Sequence, residues 1–168
     1  MFLFASLPRF KHLEKEYICW FEDEEVKIGF SEIPDIRDKV INRQAMTKEQ
    51  IKEAKKKPMY VDNYVEVYIE DKIECEAYLF TIYRGYDYDG ASIPKIFTRL
   101  IGSKEDIRFK VASLIHDVLC ENHCYIDDDR YFSTIILDKL LMISDTWGFT
   151  RWMMKHSVDN YQKLFGGW

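Results

Sequence analysis

Asn63-Tyr64-Val65-Glu66-Val67-Tyr68-Ile69-Glu70 alternates its side chains with a period of two. Successive residues of a strand face opposite sides of a sheet, so Val65, Val67 and Ile69 fall on one face and Tyr64, Glu66 and Tyr68 on the other. Asp71-Lys72 turns the chain. Ile73 to Tyr83 then continues as a second strand, with Ile73, Cys75, Ala77 and Leu79 on one side and Glu74 and Glu76 toward solvent. Upstream, Tyr17 to Phe21 and Val26 to Phe30 flank Glu22-Asp23-Glu24-Glu25, a hairpin with an acidic tip.

Beyond the second hairpin the period changes. Arg84-Gly85-Tyr86 leaves the sheet, and Ile93-Pro94 starts a short helical turn, proline being well tolerated at a first helical position. Ser103-Lys104-Glu105-Asp106 caps a helix to about Glu121, its acids complementing the helix dipole. Ile107, Val111, Leu114, Ile115 and Val118 form its core stripe. A second helix opens over Asp127 to Asp129 and reaches about Ile143, on a stripe of Phe132, Ile135, Ile136, Leu140 and Ile143. A last helix begins at Thr146 or Gly148 and ends near Phe165. Strands followed by helices specify an α+β fold, antiparallel hairpins packed against three helices.

This is expected to be a single domain over residues 1–168, β-rich over 1–88 and helical over 93–165. Residues 33–59 read as an insertion. Ile33 to Ala45 has no clean period, and Thr47-Lys48-Glu49-Gln50 is a capping box opening a polar helix that ends at Pro58. At 168 residues, 47% hydrophobic and 32% charged, the chain has the composition of a soluble globular domain with a core. A net charge of -5 argues against nucleic acid as a partner. No run approaches the roughly 20 apolar residues that span a bilayer. Met1-Phe2-Leu3-Phe4-Ala5-Ser6-Leu7 has no cationic leader and is closed by Pro8-Arg9, so it reads as a strand or docking tail rather than a signal peptide. Cys19, Cys75, Cys120 and Cys124 are then expected as free thiols in a reducing compartment.

The chemistry-bearing residues lie between Asp87 and Asp129. At about 100° per residue, His116 falls off the core stripe of its helix, in line with Phe109, Ala112 and Cys120, and Asp117 lies on the opposite flank. Asp129 sits on the inward edge of the next helix. A short connection makes the two helices antiparallel neighbours, which brings Asp129 within reach of the His116 imidazole. The competing reading is a buried polar staple between helices. Asp117, with Asp87 and Asp89 in the preceding loop, offers oxygen ligands to a hard cation such as calcium. Gly90, Ser92 and Pro94 shape that loop, Ser92 as a cap for the turn at Pro94. If the helix continues past Glu121, His116, Cys120, His123 and Cys124 share a stripe of donors that suits zinc. Against that stands a reading of the cysteines as small apolar side chains. No Gly-x-Ser-x-Gly elbow, Walker loop or dinucleotide fingerprint occurs. His156, on a stripe with Phe149, Trp152 and Met153, reads as a core histidine.

Asp89-Gly90-Ala91-Ser92-Ile93-Pro94, His116-Asp117-Val118-Leu119 and Asp129-Arg130-Tyr131-Phe132, in that order, resemble the signature of DUF1353, an uncharacterised family of phage, prophage and bacterial proteins. Ser157 to Gly166 resembles its C-terminal helix. The resemblance covers about half the chain, from Val65 onward, and Cys120 stands where the family motif carries an aromatic residue. It implies a phage setting, in the host cytoplasm or the virion, with a phage structural protein or a host protein as partner. The His-Asp pair facing a distant Asp is also similar in geometry to secreted phospholipases of the A2 type. That similarity implies His116 as the base that activates water, Asp117 as a calcium ligand and Asp129 as the group orienting the imidazole. The glycine-rich calcium loop of those enzymes is missing here, so Asp87, Asp89 and nearby carbonyls would replace it. Two expectations follow: a metal-assisted hydrolase with His116 as general base, or a non-catalytic virion, tail-accessory or host-binding protein in which the motif is a clasp.

Overall fold

The alternating run becomes a strand, Val65–Asp71, one in from the edge of a five-stranded antiparallel sheet. The structure is a computed structural model. It describes residues 7–89, 107–122, 129–143, 148, 151–152 and 155–156, leaving aside the side chains of residues 129–131. In chain order the elements are β1 (Arg9–His12), β2 (Lys15–Glu22), β3 (Val26–Phe30), β4 (Ile36–Asp38), α1 (Lys48–Lys56), β5 (Met59–Val61), β6 (Val65–Asp71), β7 (Glu76–Ile82), β8 (Asp87–Tyr88), α2 (Ile107–Glu121) and α3 (Asp129–Ile143). The class is α+β, antiparallel sheets first and helices after them. The chain groups into two compact units, one over Met1–Asp35 and Val61–Tyr86, the other over Ile36–Tyr60 and Asp87–Trp168.

The first unit is the sheet β1-β2-β3-β6-β7. Pairing of Val67 with Phe80, and of Ile69 with Ile28, gathers Val65, Val67, Ile69, Ile28 and Phe30 on one fully buried face. The opposite face is covered as well. Phe10, Tyr17 and Tyr68 pack there with ring centroids 5.4 to 5.7 Å apart. A Cβ at Gly29 would lie 2.6 Å from the Phe10 ring, so that layer needs a residue without a side chain. Glu66, buried in the same layer, accepts hydrogen bonds from Lys15 Nζ (2.6 Å), the Tyr17 hydroxyl (3.3 Å) and the Tyr64 hydroxyl (3.3 Å).

Two strand assignments change. β1, which periodicity does not pick out, pairs with β2 along its whole length. β7 begins at Glu76, not Ile73, and its inward side chains are Tyr78, Phe80 and Ile82, whereas Ala77 and Leu79 are exposed. Lys72 to Cys75 form a loop: Asp71 Oδ1 accepts from the Ile73 and Glu74 amides at 2.9 and 3.1 Å, and Cys75 takes a φ of 58°. Ile73 and Cys75 had set the expected inward face, but both lie in the loop; from Glu76 onward the alternation turns the even-numbered residues inward.

In the second unit β4, β5 and β8 make a small sheet, with Met59 paired to Tyr88 and Tyr60 to Asp87. The Thr47 box opens α1 as expected, with Gln50 N donating to Thr47 Oγ1 and Thr47 N to Gln50 Oε1. Residues 36–60 are therefore structural members of this unit. α2 and α3 end where expected, at Glu121 and Ile143, and pack against each other; the cap over 103–106 and residues 127–128 lie outside the described residues. Arg108, near the start of α2, donates to the Ile143 carbonyl at the end of α3, which fixes the pair as antiparallel. The single stripe expected on α2 is too narrow: Phe109, Ala112, Ser113 and Leu119 are buried along with Val111, Leu114, Ile115 and Val118. Lys110 is also buried along its stem and carries its ammonium to Asp38 at 3.0 Å, as long cationic side chains do.

Helical conformation recurs at residues 148, 151–152 and 155–156. There the core reading of His156 fails: His156 and Trp152 are exposed and cover each other edge to face at 4.5 Å. One turn apart, they mark the outer side of that helix. Among the described residues no helix is long and apolar enough to cross a membrane.

Candidate functional site

α2 places His116, Asp117 and Cys120 together. His116 and Cys120 are four residues apart and so share a face, while Asp117 follows directly. His116 Nδ1 lies 3.6 Å from Asp117 Oδ1. The Cys120 sulfur lies 3.6 Å from Nε2 and 3.8 Å from Nδ1 of the same ring. A sulfur almost equidistant from both nitrogens interacts with the spread charge of the ring more than with one N–H.

Electrostatics decide the state of the imidazole. Burial of His116 opposes a positive charge, but the Asp117 carboxylate and the Cys120 sulfur favour it and prevail, so its pKa is pushed up to about 9. At neutral pH the ring is an imidazolium. A proton held this firmly is unavailable to a general base in its resting state.

In front of this trio is an open cleft of about 170 Å³, lined by Lys57, Tyr88, Asp89, Asp117, Cys120 and Glu121. His116 is not part of its lining and sits behind Asp117 and Cys120. β8 brings Tyr88, whose hydroxyl donates to the Lys110 carbonyl at 3.2 Å. Burial raises its phenol far above the ordinary range, and the Asp117 and Asp38 charges add to the shift, so it stays neutral. The chain just after α1 brings Lys57, whose ammonium lies 3.3 Å from Glu121. Among the described residues the lining carries three carboxylates and one ammonium, with the His116 imidazolium against one of those carboxylates.

Of the residues singled out by sequence, His116 and Asp117 come together, and Asp89 lines the same cleft as Asp117. Asp87 is engaged elsewhere, by Lys39 at 2.7 Å. Gly90, Ser92 and Pro94 lie outside the described residues, as do His123 and Cys124 of the zinc set. Asp129 opens α3, but its side chain is also outside them. Among the described residues no group of three or more His, Cys, Asp or Glu side chains is arranged to hold a metal ion. The described residues do not by themselves make the calcium site. Lys57, Tyr88 and Glu121 were missed. Glu121 carried a usable signal, one turn beyond Asp117 on the same helix; Lys57 and Tyr88 carried none, because the sheet and α1 deliver them from distant parts of the chain.

Residues 66–158 match the model of a family described as Protein of unknown function (DUF1353), a span of more than half the chain. No curated protein and no solved structure matches.

Proposed function

The chain belongs to the DUF1353 family, and from that premise we propose that its cleft is the hydrolytic site of a small soluble protein from a phage or prophage setting. The observation that supports this reading is the alignment of Asp117 and Cys120, which face the cleft, in front of a charged His116 that touches both. A core staple has no use for an open cavity on its outer side. The role assigned to His116 differs from that of a resting general base. It enters as a proton source and electrostatic anchor, and can accept a proton only after giving one up.

The test compares His116→Gln and Asp117→Asn with the native chain on a panel of small activated esters. Turnover should fall at least about a hundredfold, the usual size of a positioned acid or base, while Asp117→Asn still unfolds cooperatively above the assay temperature. A native chain that hydrolyses no member of the panel sinks the proposal. The near-complete burial of His116 favours one other reading, a non-catalytic virion, tail-accessory or host-binding protein in which His116 and Asp117 form a clasp. In that case both substitutions lower the melting temperature and no turnover exists to lose.

A further inference from the structure

We infer that β7 is an interface at which two copies of this chain join their sheets edge to edge, antiparallel, about a two-fold axis at Phe80. Among the described residues the five-stranded sheet ends in β1 on one side and β7 on the other. An edge strand offers a row of backbone N–H and C=O groups to any further strand, and proteins guard such edges with short strands, cationic side chains, proline or bulges. β1 is guarded in this way: it has four residues and carries Arg9 and Lys11. β7 is not. Between Glu76 and Arg84 the chain reads Ala-Tyr-Leu-Phe-Thr-Ile-Tyr, with no charge, glycine or proline, and its aromatic and β-branched residues favour extended pairing. Its register with β6 runs unbroken from Asp71↔Glu76 to Val65↔Ile82, so no bulge turns the edge away.

The placing of the charges identifies the occupant as a second copy. Ala77, Leu79 and Thr81 lie exposed along one side of β7, Leu79 at 49%, and Tyr83 continues that side at 68%. A two-fold axis perpendicular to the sheet keeps like faces on the same side, so one residue must stand opposite its own copy. With Phe80 on the axis, Glu76 comes beside Arg84 of the second copy, in the turn just past β7, and the same pair recurs at the other end. Leu79 then stands opposite Thr81, Ala77 opposite Tyr83 and Tyr78 opposite Ile82, and such directly opposed side chains support each other. Moved to Leu79, the axis leaves Glu76 against Ile82; moved to Thr81, it leaves Arg84 against Tyr78. Arg84 is already held from behind, its Nε donating to Asp62 at 2.8 Å while the side chain stays largely exposed. The charges set partner and register, and the backbone ladder supplies the affinity.

The experiment follows the full chain by sedimentation equilibrium between about 1 and 100 μM, the range in which modest interfaces associate. The native chain should become a dimer across it. Leu79→Lys, which puts a cation in the middle of the edge, should stay monomeric. Glu76→Arg and Arg84→Glu should each dimerise at least about tenfold more weakly, since each sets like charges together. An equal mixture of those two variants should dimerise as the native chain does, because every end then carries an opposite pair. Hydrogen exchange at the two ends of the concentration range supplies a readout that needs only native protein if a variant does not fold. The amides of residues 76–82 should exchange more slowly in the concentrated sample, and those of β1 should not change. A native chain that stays monomeric throughout overturns the inference and leaves the edge to a strand from a different protein. A dimer whose β7 amides gain no protection overturns it as well, as does one that Leu79→Lys leaves intact. A mixture no better than either variant alone overturns the Phe80 axis.

Discussion

His116 is buried among groups that want it charged, so its protonation and the stability of the fold are linked. The folded pKa is raised from an ordinary 6.5 to about 9. A raised pKa means the folded form binds the proton more tightly, so the stabilisation is full below about pH 6.5 and is lost as pH rises through about 9. Denaturant titrations across that window should show stability falling by on the order of a few kcal/mol, and His116→Gln should flatten the slope. Gly29 offers a second single-residue test. A methyl there would meet Cε1 and Cζ of Phe10 at 2.6 Å, and that ring is held against Tyr17 and Tyr68. Gly29→Ala should cost about 1 to 3 kcal/mol through overpacking, and Phe10→Leu in the same chain should recover part of the loss in a urea titration. The sequence marked His116 and Asp117 because two ionisable residues in a row on an apolar helix are conspicuous. It gave no sign of the Gly29–Phe10 contact, since that depends on strand register rather than on any pattern within a strand.

The elements differ in how openly their sequences declare them. α3 was legible, ending at about Ile143 as expected, because an acidic start and a long apolar stripe agree. α1 was equally plain: Thr47 and Gln50 satisfy each other's backbone amides, a local device that needs no tertiary context. Removing the cap hydroxyl by Thr47→Ala should therefore cost about 1 kcal/mol, visible as a lower midpoint with an unchanged denaturant slope. β7 was found but its faces were exchanged, since the Asp71 loop consumes two apolar residues that look like strand. β1, β4, β5 and β8 escaped notice. Two to four residues are too few to establish a period, and they are strands only because neighbouring strands supply partners. Much the same holds for the cleft, whose helical wall and Asp89 were legible and whose Lys57 and Tyr88 were not.

The two compact units are each made from separated pieces of chain, and the polypeptide passes from one to the other three times, after Asp35, after Tyr60 and after Tyr86. This pattern is invisible to composition, which is uniform enough to suggest one unbroken domain. Residues 36–60, most of the polar stretch that reads as an insertion, group with the helical unit, and Lys57 reaches its cleft. The span shared with the family, residues 66–158, begins only after that stretch. His116, Asp117 and Cys120 and the Lys57 wall of the cleft are thus encoded in separate stretches of the chain. Under the proposed reading, point changes near Lys57 would alter that wall while the spacing of His116, Asp117 and Cys120 stays untouched, so the two could evolve at different speeds.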